Sequence, residues 1–260
     1  MKERKKLVIL FCLLAAVLLG LILAKPVYYA YRELDYHLGS PTQAEQTVYA
    51  YAQDHGIPYG SYPASLIELL QRNEETEAFV LHYPNRSEAA PDLSGYDRTS
   101  VPLFLQWDPI WGYERYGSDF LAITGCGPTC LAMAGYYLTG DTNMTPGQLA
   151  AFSEKNGYYA SGYGSSWTLI SQGAQQLGLH AQELPLVKKK IVTALEEGKP
   201  IILAMGEGDF TTSGHYIVLT GWSGDAFRVN DPNSLENSQK LWTYEELEHQ
   251  IRNIWAISKP

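Results

Sequence analysis

Three regimes of apolar and polar spacing follow one another along the chain. The first is Leu7–Ala24 (LVILFCLLAAVLLGLILA), an uncharged apolar run behind the basic start MKERKK. As a helix it would cover roughly 27 Å, about the thickness of a hydrocarbon core. A cleavable signal has a shorter apolar region, about 7–15 residues, ending in an A-x-A-like site. Here Ile22 fills the −3 position of the only site after Ala24, and Pro26 follows closely. The pattern predicts an uncleaved single-pass anchor in the cell membrane. Its basic end would stay in the cytoplasm and the chain from Lys25 onward would be extracytoplasmic, with Tyr28, Tyr29 and Tyr31 at the outer interface.

The second regime, residues 40–82, repeats apolar residues at helical spacing. TQAEQTVYAYAQDHG stops at Gly56, and YPASLIELLQR places Leu66, Leu69 and Leu70 on one stripe. The polar stretch Asn85–Ser100 reads as a linker. In the third regime helices come first. Cys126–Leu138 is one, with Cys130, Met133, Ala134 and Tyr137 on one face. Thr145 as N-cap and Pro146 at the first position open another, which Gly157 ends. Ser166–Leu177 and Ile191–Glu197 read as two more. Strand patterns then take over in residues 200–205 (PIILAM), 215–222 (HYIVLTGW) and 226–232 (AFRVNDP). Helices followed by an antiparallel sheet predict an α+β domain. The expected organisation is a tail and anchor at 1–24, a mainly helical stalk or pro-like segment at 25–98, and the α+β domain at 99–260.

Charge narrows the list of partners. A net charge of −9 argues against nucleic acid, because phosphate binding needs a basic surface. The remaining candidate chemistry centres on TGCGPTC, residues 124–130. A metal site needs about four ligands, and no histidine pair accompanies the two cysteines, so neither metal nor cofactor is expected. A disulfide across one helical turn is geometrically awkward. Cys130 falls on the apolar stripe and suits a buried thiol. Cys126 lies between two glycines at a helix start, where unpaired N–H groups and the helix dipole favour a thiolate.

A thiol nucleophile needs a base, a group that orients the base, and donors for the oxyanion. His215 opens a strand after the Gly-rich loop GEGDFTTSG, where a catalytic side chain can be exposed. With a hairpin turn at Ser223–Gly224, paired residue numbers sum to about 447 or 446, so His215 would face roughly Asp231 or Pro232. Asp231 is the expected orienter and Asn230 the reserve. The backbone N–H of Cys126 is one oxyanion donor, and Gln106 in FLQWDPIWGY can add a neutral amide. Spacing alone does not demand Gln106, and Trp107 and Trp111 also suit a core.

Taken in order, Gln106 in QWDPIWGY, the helix beginning GCGPT, Trp167 beside a Gly-rich loop, GHYIVLTG and NDPN resemble the bacterial papain-like cysteine peptidases similar to the bacteriocin-leader, double-glycine-processing group. The resemblance covers about residues 100–258. It implies a papain-like fold, a helical half carrying Cys and a sheet half carrying His. It also implies Cys126 as nucleophile, His215 as base and acid, Asp231 as orienter and Gln106 in the oxyanion hole. The expected function is a membrane-anchored extracytoplasmic cysteine peptidase acting on a peptide substrate. A peptidoglycan hydrolase or amidase acting on cell-wall peptides with the same triad, and a non-catalytic binding module of the same fold, are the alternatives.

Overall fold

The computed structural model describes residues 20, 23–87, 90–162 and 164–260. The anchor expected at Leu7–Ala24 lies outside the described residues, apart from Gly20, Leu23 and Ala24. Among the described residues no helix is long and apolar enough to cross a membrane. The chain divides into two compact units, residues 1–85 and 86–260.

The first unit is helical. Helix α1 (23–38) is followed by α2 (Gln43–Asp54), α3 (Ala64–Arg72) and α4 (Glu77–Leu81). Thr42 and Glu45 form a capping box that starts α2, satisfying two N–H groups the helix itself leaves unpaired. The three helices contact one another, and Val48 and Ala52 of α2, Leu66 and Leu70 of α3 and Val80 of α4 are buried. Tyr62 is fully buried there and donates its hydroxyl to the Leu81 carbonyl at 3.0 Å.

The second unit pairs helices with one antiparallel sheet. Its helices are α5 (Cys126–Thr139), α6 (Pro146–Lys155), α7 (Lys188–Glu196), α8 (Leu235–Gln239) and α9 (Tyr244–Glu248). The strands are β1 (His180–Glu183), β2 (Ile201–Met205), β3 (His215–Ser223), β4 (Ala226–Asn230), β5 (Leu241–Thr243) and β6 (Ile251–Ser258), in spatial order β1-β6-β2-β3-β4-β5. Strand β2 is buried along its whole length because both sheet faces are covered. Ile202 and Ala204 pack with Leu131 and Met133 of α5; Ile201 and Leu203 pack with Ile191 of α7. That explains the unbroken apolar run in PIILAM.

Helix α5 is buried all round from Gly127 to Tyr136, so it is a core helix and not a surface one with a single stripe. Its C-terminus is held by Arg98, whose guanidinium donates to the Tyr136 carbonyl at 3.0 Å and the Tyr137 carbonyl at 2.8 Å. These are the last-turn carbonyls that a helix cannot pair internally. Gly140 then turns the chain at φ +73°, a conformation open to glycine at little cost. The polar segment before residue 100 is stitched to the same helix: Leu93 is fully buried, and its carbonyl accepts from the Tyr136 hydroxyl at 2.8 Å.

Three features depart from the sequence expectations. The segment expected to be helical over Ser166–Leu177 is a π-helical turn at Leu169–Gly173 followed by a short α turn at Ala174–Gln176. The β3–β4 hairpin turns at Gly224–Asp225, with Gly224 at φ +68° and Ser223 paired with Ala226. A bulge at Thr220 then brings Val218 opposite Asn230, so the ladder lies further toward the C-terminus than a Ser223–Gly224 turn implies. Strands β1, β5 and β6 complete a sheet of six where the sequence pattern gave three.

Candidate active site

Helix α5 carries the cysteine at its first position. Gly125 and Gly127 flank it because side chains there would collide with neighbours. A Cβ on Gly125 would sit 2.4 Å from the Leu121 carbonyl, and one on Gly127 2.5 Å from the Ser165 hydroxyl. Ser165 ends a short hairpin, Tyr159–Ala160 against Gly164–Ser165. That hairpin is pinned at its base. The Ser165 hydroxyl meets the buried Tyr116 hydroxyl at 2.7 Å, and the Ser165 carbonyl accepts from Tyr216 at 3.3 Å. Burial pushes the Tyr116 hydroxyl up to about 12, so it stays a neutral structural partner.

His215 begins β3, whose other neighbour pairs it with Met205. The connecting loop is locked by the buried Gln250. Its Oε1 accepts from the Asp209 N–H at 2.7 Å, its Nε2 donates to Asp209 Oδ2 at 2.6 Å, and its carbonyl accepts from Gly206 N–H at 2.7 Å. The imidazole is buried and bridges two groups. Nε2 lies 2.7 Å from Asp231 Oδ1. The other is Cys126, which acts on the same ring and helps hold its proton; with Nε2 taken by Asp231, Nδ1 is the nitrogen left for the sulfur. Burial presses the imidazole pKa down. The charge and hydrogen bond of Asp231, then those of Cys126, outweigh it and raise the pKa from 6.5 to about 10.

Asp231 reaches His215 by a route that strand pairing does not supply. The β3–β4 ladder ends at Val218–Asn230, and Asp231 already belongs to a turn bridged to Ser234. Its carboxylate extends from that turn across to the imidazole. Oδ1 also accepts from the Asn233 N–H at 2.8 Å, and Oδ2 from Asn237 Nδ2 at 2.9 Å. Asn230 points elsewhere: its Nδ2 donates to the Val101 and Pro102 carbonyls at 3.1 and 3.0 Å. Asn237 went unnoticed in the sequence. The available signal was Ser234, which caps α8 through the Asn237 N–H and so folds NSLENS back over the turn.

Gln106 is buried between the two halves of the site. Its backbone N–H donates to the Pro232 carbonyl at 2.7 Å, and its Nε2 donates to the Ala122 carbonyl at 2.7 Å. One bond ties it to the turn carrying Asp231, the other to the turn leading into α5. An amide nitrogen carries two protons, so one remains beyond the bond to Ala122. Its Oε1 is buried with no hydrogen-bond partner. Trp107 reinforces the same seam, donating Nε1 to the Asn233 carbonyl at 3.0 Å. Trp111 is core, with Nε1 on the Leu105 carbonyl at 2.8 Å.

The structure therefore brings Cys126, His215, Asp231 and Gln106 to one locus, while Asn230 serves the neighbouring backbone. Cys126 and Cys130 are both free thiols. Cys130 is fully buried, and burial pushes its pKa well above the ordinary thiol range. Brief iodoacetamide treatment near neutral pH is accordingly expected to label Cys126 well before Cys130, read by fragmentation of the one tryptic peptide that holds both, since no Lys or Arg separates them. Equal labelling, or preference for Cys130, would reject the distinction between an accessible thiol beside an imidazole and a buried one.

A cysteine at a core-helix N-terminus, facing a histidine on an antiparallel sheet that a carboxylate holds, defines the papain-like class of thiol hydrolases. The Peptidase_C39-like family model matches residues 98–260, and the chain belongs to that family of cysteine peptidases. Among solved structures, the peptidase domain of Streptococcus ComA, described as a bi-functional ABC transporter involved in a quorum-sensing pathway, is 18% identical with a TM-score of 0.41. The match covers 53% of this chain and 93% of that one. A C39-like peptidase from Bacillus anthracis is 14% identical with a TM-score of 0.43, covering 65% of this chain and 97% of that one. No curated protein matches the chain.

Proposed function

We propose that this peptidase is anchored in the cell membrane by Leu7–Ala24, with its catalytic unit outside the cytoplasm, and that Cys126 cleaves peptide bonds there through an acyl-enzyme. The observation that carries the catalytic part is the buried imidazole of His215, held at Nε2 by Asp231 and kept protonated by Asp231 and Cys126. An imidazolium kept charged beside a cysteine is the ion-pair partner that an attacking thiolate requires.

Each group then has one task. The Cys126 sulfur attacks the scissile carbonyl carbon, and the carbonyl oxygen takes the negative charge. The Cys126 N–H, in the first turn of α5 where the helix offers no partner, donates to that oxygen together with the second Gln106 amide proton. His215 passes its Nδ1 proton to the leaving amine as the C–N bond breaks. It then takes a proton from water, which attacks the thioester and frees Cys126. Asp231 fixes the ring so that Nδ1 and not Nε2 faces the sulfur, and stabilises the imidazolium.

The membrane part rests on the long apolar run behind MKERKK and the poor cleavage site after Ala24. Two measurements test the proposal. The full chain in detergent should hydrolyse members of a peptide library, and its Cys126→Ala variant should not. Protease added to intact cells should digest the catalytic unit while the chain stays in the membrane fraction. Peptides left intact beside solubilised wall fragments from sacculi would replace peptide hydrolysis with wall hydrolysis. A soluble mature form beginning near Lys25 would remove the anchor.

A further inference from the structure

Helix α1 is mounted with its aliphatic side facing away from its own unit. The inward face is polar and aromatic. Tyr36 stacks on Tyr49 at 4.1 Å between ring centres, and the Arg32 guanidinium lies 5.4 Å from the centre of the Tyr59 ring. Tyr29 packs so closely on Gly60 that a Cβ there would lie 2.5 Å from the Tyr29 Cα. The outward face carries Leu23, Val27, Tyr31, Leu34 and Leu38, which are 49–78% exposed. This reverses the usual burial of an amphipathic helix, in which the aliphatic stripe faces the body.

We infer that this stripe is the seam of a parallel pair formed with α1 of a second copy of the chain. Three observations select that occupant. The spacing is heptad-like: Val27 and Leu34 fall seven apart on the a position, Leu23 and Ala30 seven apart on d, and Tyr31 and Leu38 on e beside them. One a position is β-branched, Val27, and one d is leucine, Leu23, the combination that favours two parallel strands; the next d, His37, turns to Tyr49 of its own unit at 3.0 Å and ends the seam. The stripe is also self-complementary, as a two-fold interface requires. Finally, Gly20, Leu23 and Ala24 belong both to the apolar run and to helical backbone, and 23–38 is one unbroken helix. The stripe thus begins within the apolar run itself, and two copies anchored by that run emerge on the same side, pointing the same way.

The direction of pairing rests on the anchor reading above. The paired segment is short, about 22 Å at 1.5 Å per residue, and short helices associate weakly in dilute solution. Confinement of both copies to one membrane raises their effective concentration and removes much of that penalty.

Cysteine cross-linking of the full chain in membranes of expressing cells tests the inference, using a Cys12→Ser, Cys126→Ser background. With copper phenanthroline as oxidant, Val27→Cys and Leu34→Cys should each form a disulfide-linked dimer. Asp35→Cys, one residue off the seam, should form several-fold less. Adding Val27→Lys should reduce the Leu34→Cys product several-fold. Equal cross-linking at 34 and 35, or none at 27 and 34, overturns the pairing. So does protection of Leu34→Cys from a membrane-impermeant maleimide without cross-linking, which would seat the stripe on lipid. Recovery of the chain in the soluble fraction would reject the anchor alone. Cross-linking between identical positions in that soluble chain would still uphold the pair.

Discussion

Cys126→Ala should abolish peptide hydrolysis, and His215→Ala should come close to it. The alanine at 126 leaves no group able to form the acyl-enzyme: the other thiol of the catalytic unit, Cys130, is fully buried and its pKa is pushed well above the ordinary range. Removing His215 takes away the proton donor for the leaving amine and the base for deacylation, contributions of this kind amounting to about 10²–10⁴-fold. It also removes the charge that meets the sulfur. Gln106→Ala is the graded member of the series. Losing one oxyanion donor costs about 10²–10³ in turnover, or about 2.7–4 kcal/mol. Its backbone N–H bond to Pro232 survives the substitution while the Ala122 carbonyl loses its donor, so a stability cost accompanies the turnover loss and the melts separate the two. Single-turnover kinetics on a cleaved library peptide, with thermal melts to establish folding, check all three. Undiminished hydrolysis by Cys126→Ala would reject the nucleophile, and a Gln106→Ala effect confined to KM would reject the oxyanion role.

The sequence exposed this site unevenly, and the reasons are physical. Cys126 was legible because a helix start between glycines is a local signal, carried by contiguous residues. The cap and first turn of α6 were legible for the same reason: Thr145 accepts from the Gln148 N–H as a capping threonine should. His215 was legible from the strand it opens. Asp231 lies against its ring, although the register that points to Asp231 is itself displaced. The Gly224–Asp225 turn and the bulge at Thr220 move the ladder, and Asp231 reaches the ring from a turn beyond the last ladder pair. A bulge adds one residue to one strand and leaves little trace in apolar spacing.

The strands that went unread share a cause. β1 is a polar edge strand, HAQE, whose pattern of burial shows no alternation. β6 is an interior strand between β1 and β2, yet Arg252 and Asn253 interrupt it and the register shifts there. Long-range order in a sheet is set by which chains meet, and local spacing does not record that. Asn237 and Gln250 belong to the same category. Each acts through a side-chain bond to a residue distant in sequence or across a turn, and neither residue type marks itself out.

The second large effect lies at the pair Asn230 and Asp231. Asp231→Ala should lower turnover by up to ~10⁴-fold, the scale seen when a catalytic histidine loses the acceptor that fixes its tautomer. The carboxylate is 1% exposed and receives three donors, so its removal strands the imidazole and the Asn237 amide together. Asp231→Asn separates charge from shape, since the amide fills the same space without the negative charge. Asn230→Ala instead frees the Val101 and Pro102 carbonyls, and an unsatisfied buried group costs about 1–3 kcal/mol of stability. It leaves the imidazole's partner in place, so turnover falls less. A pH series gives an independent reading of the same pair. His215 binds its proton more tightly folded than unfolded, its pKa rising to about 10. Its stabilisation is therefore complete below the unfolded value of about 6.5, declines as pH rises, and is gone once pH passes the folded value. Melting temperature measured across that window should fall more steeply for the unsubstituted protein than for Asp231→Asn, in which the raising charge is absent. Parallel melting profiles would mean that Asp231 does not hold the imidazolium. A turnover loss larger for Asn230→Ala than for Asp231→Ala would move the orienting role to Asn230.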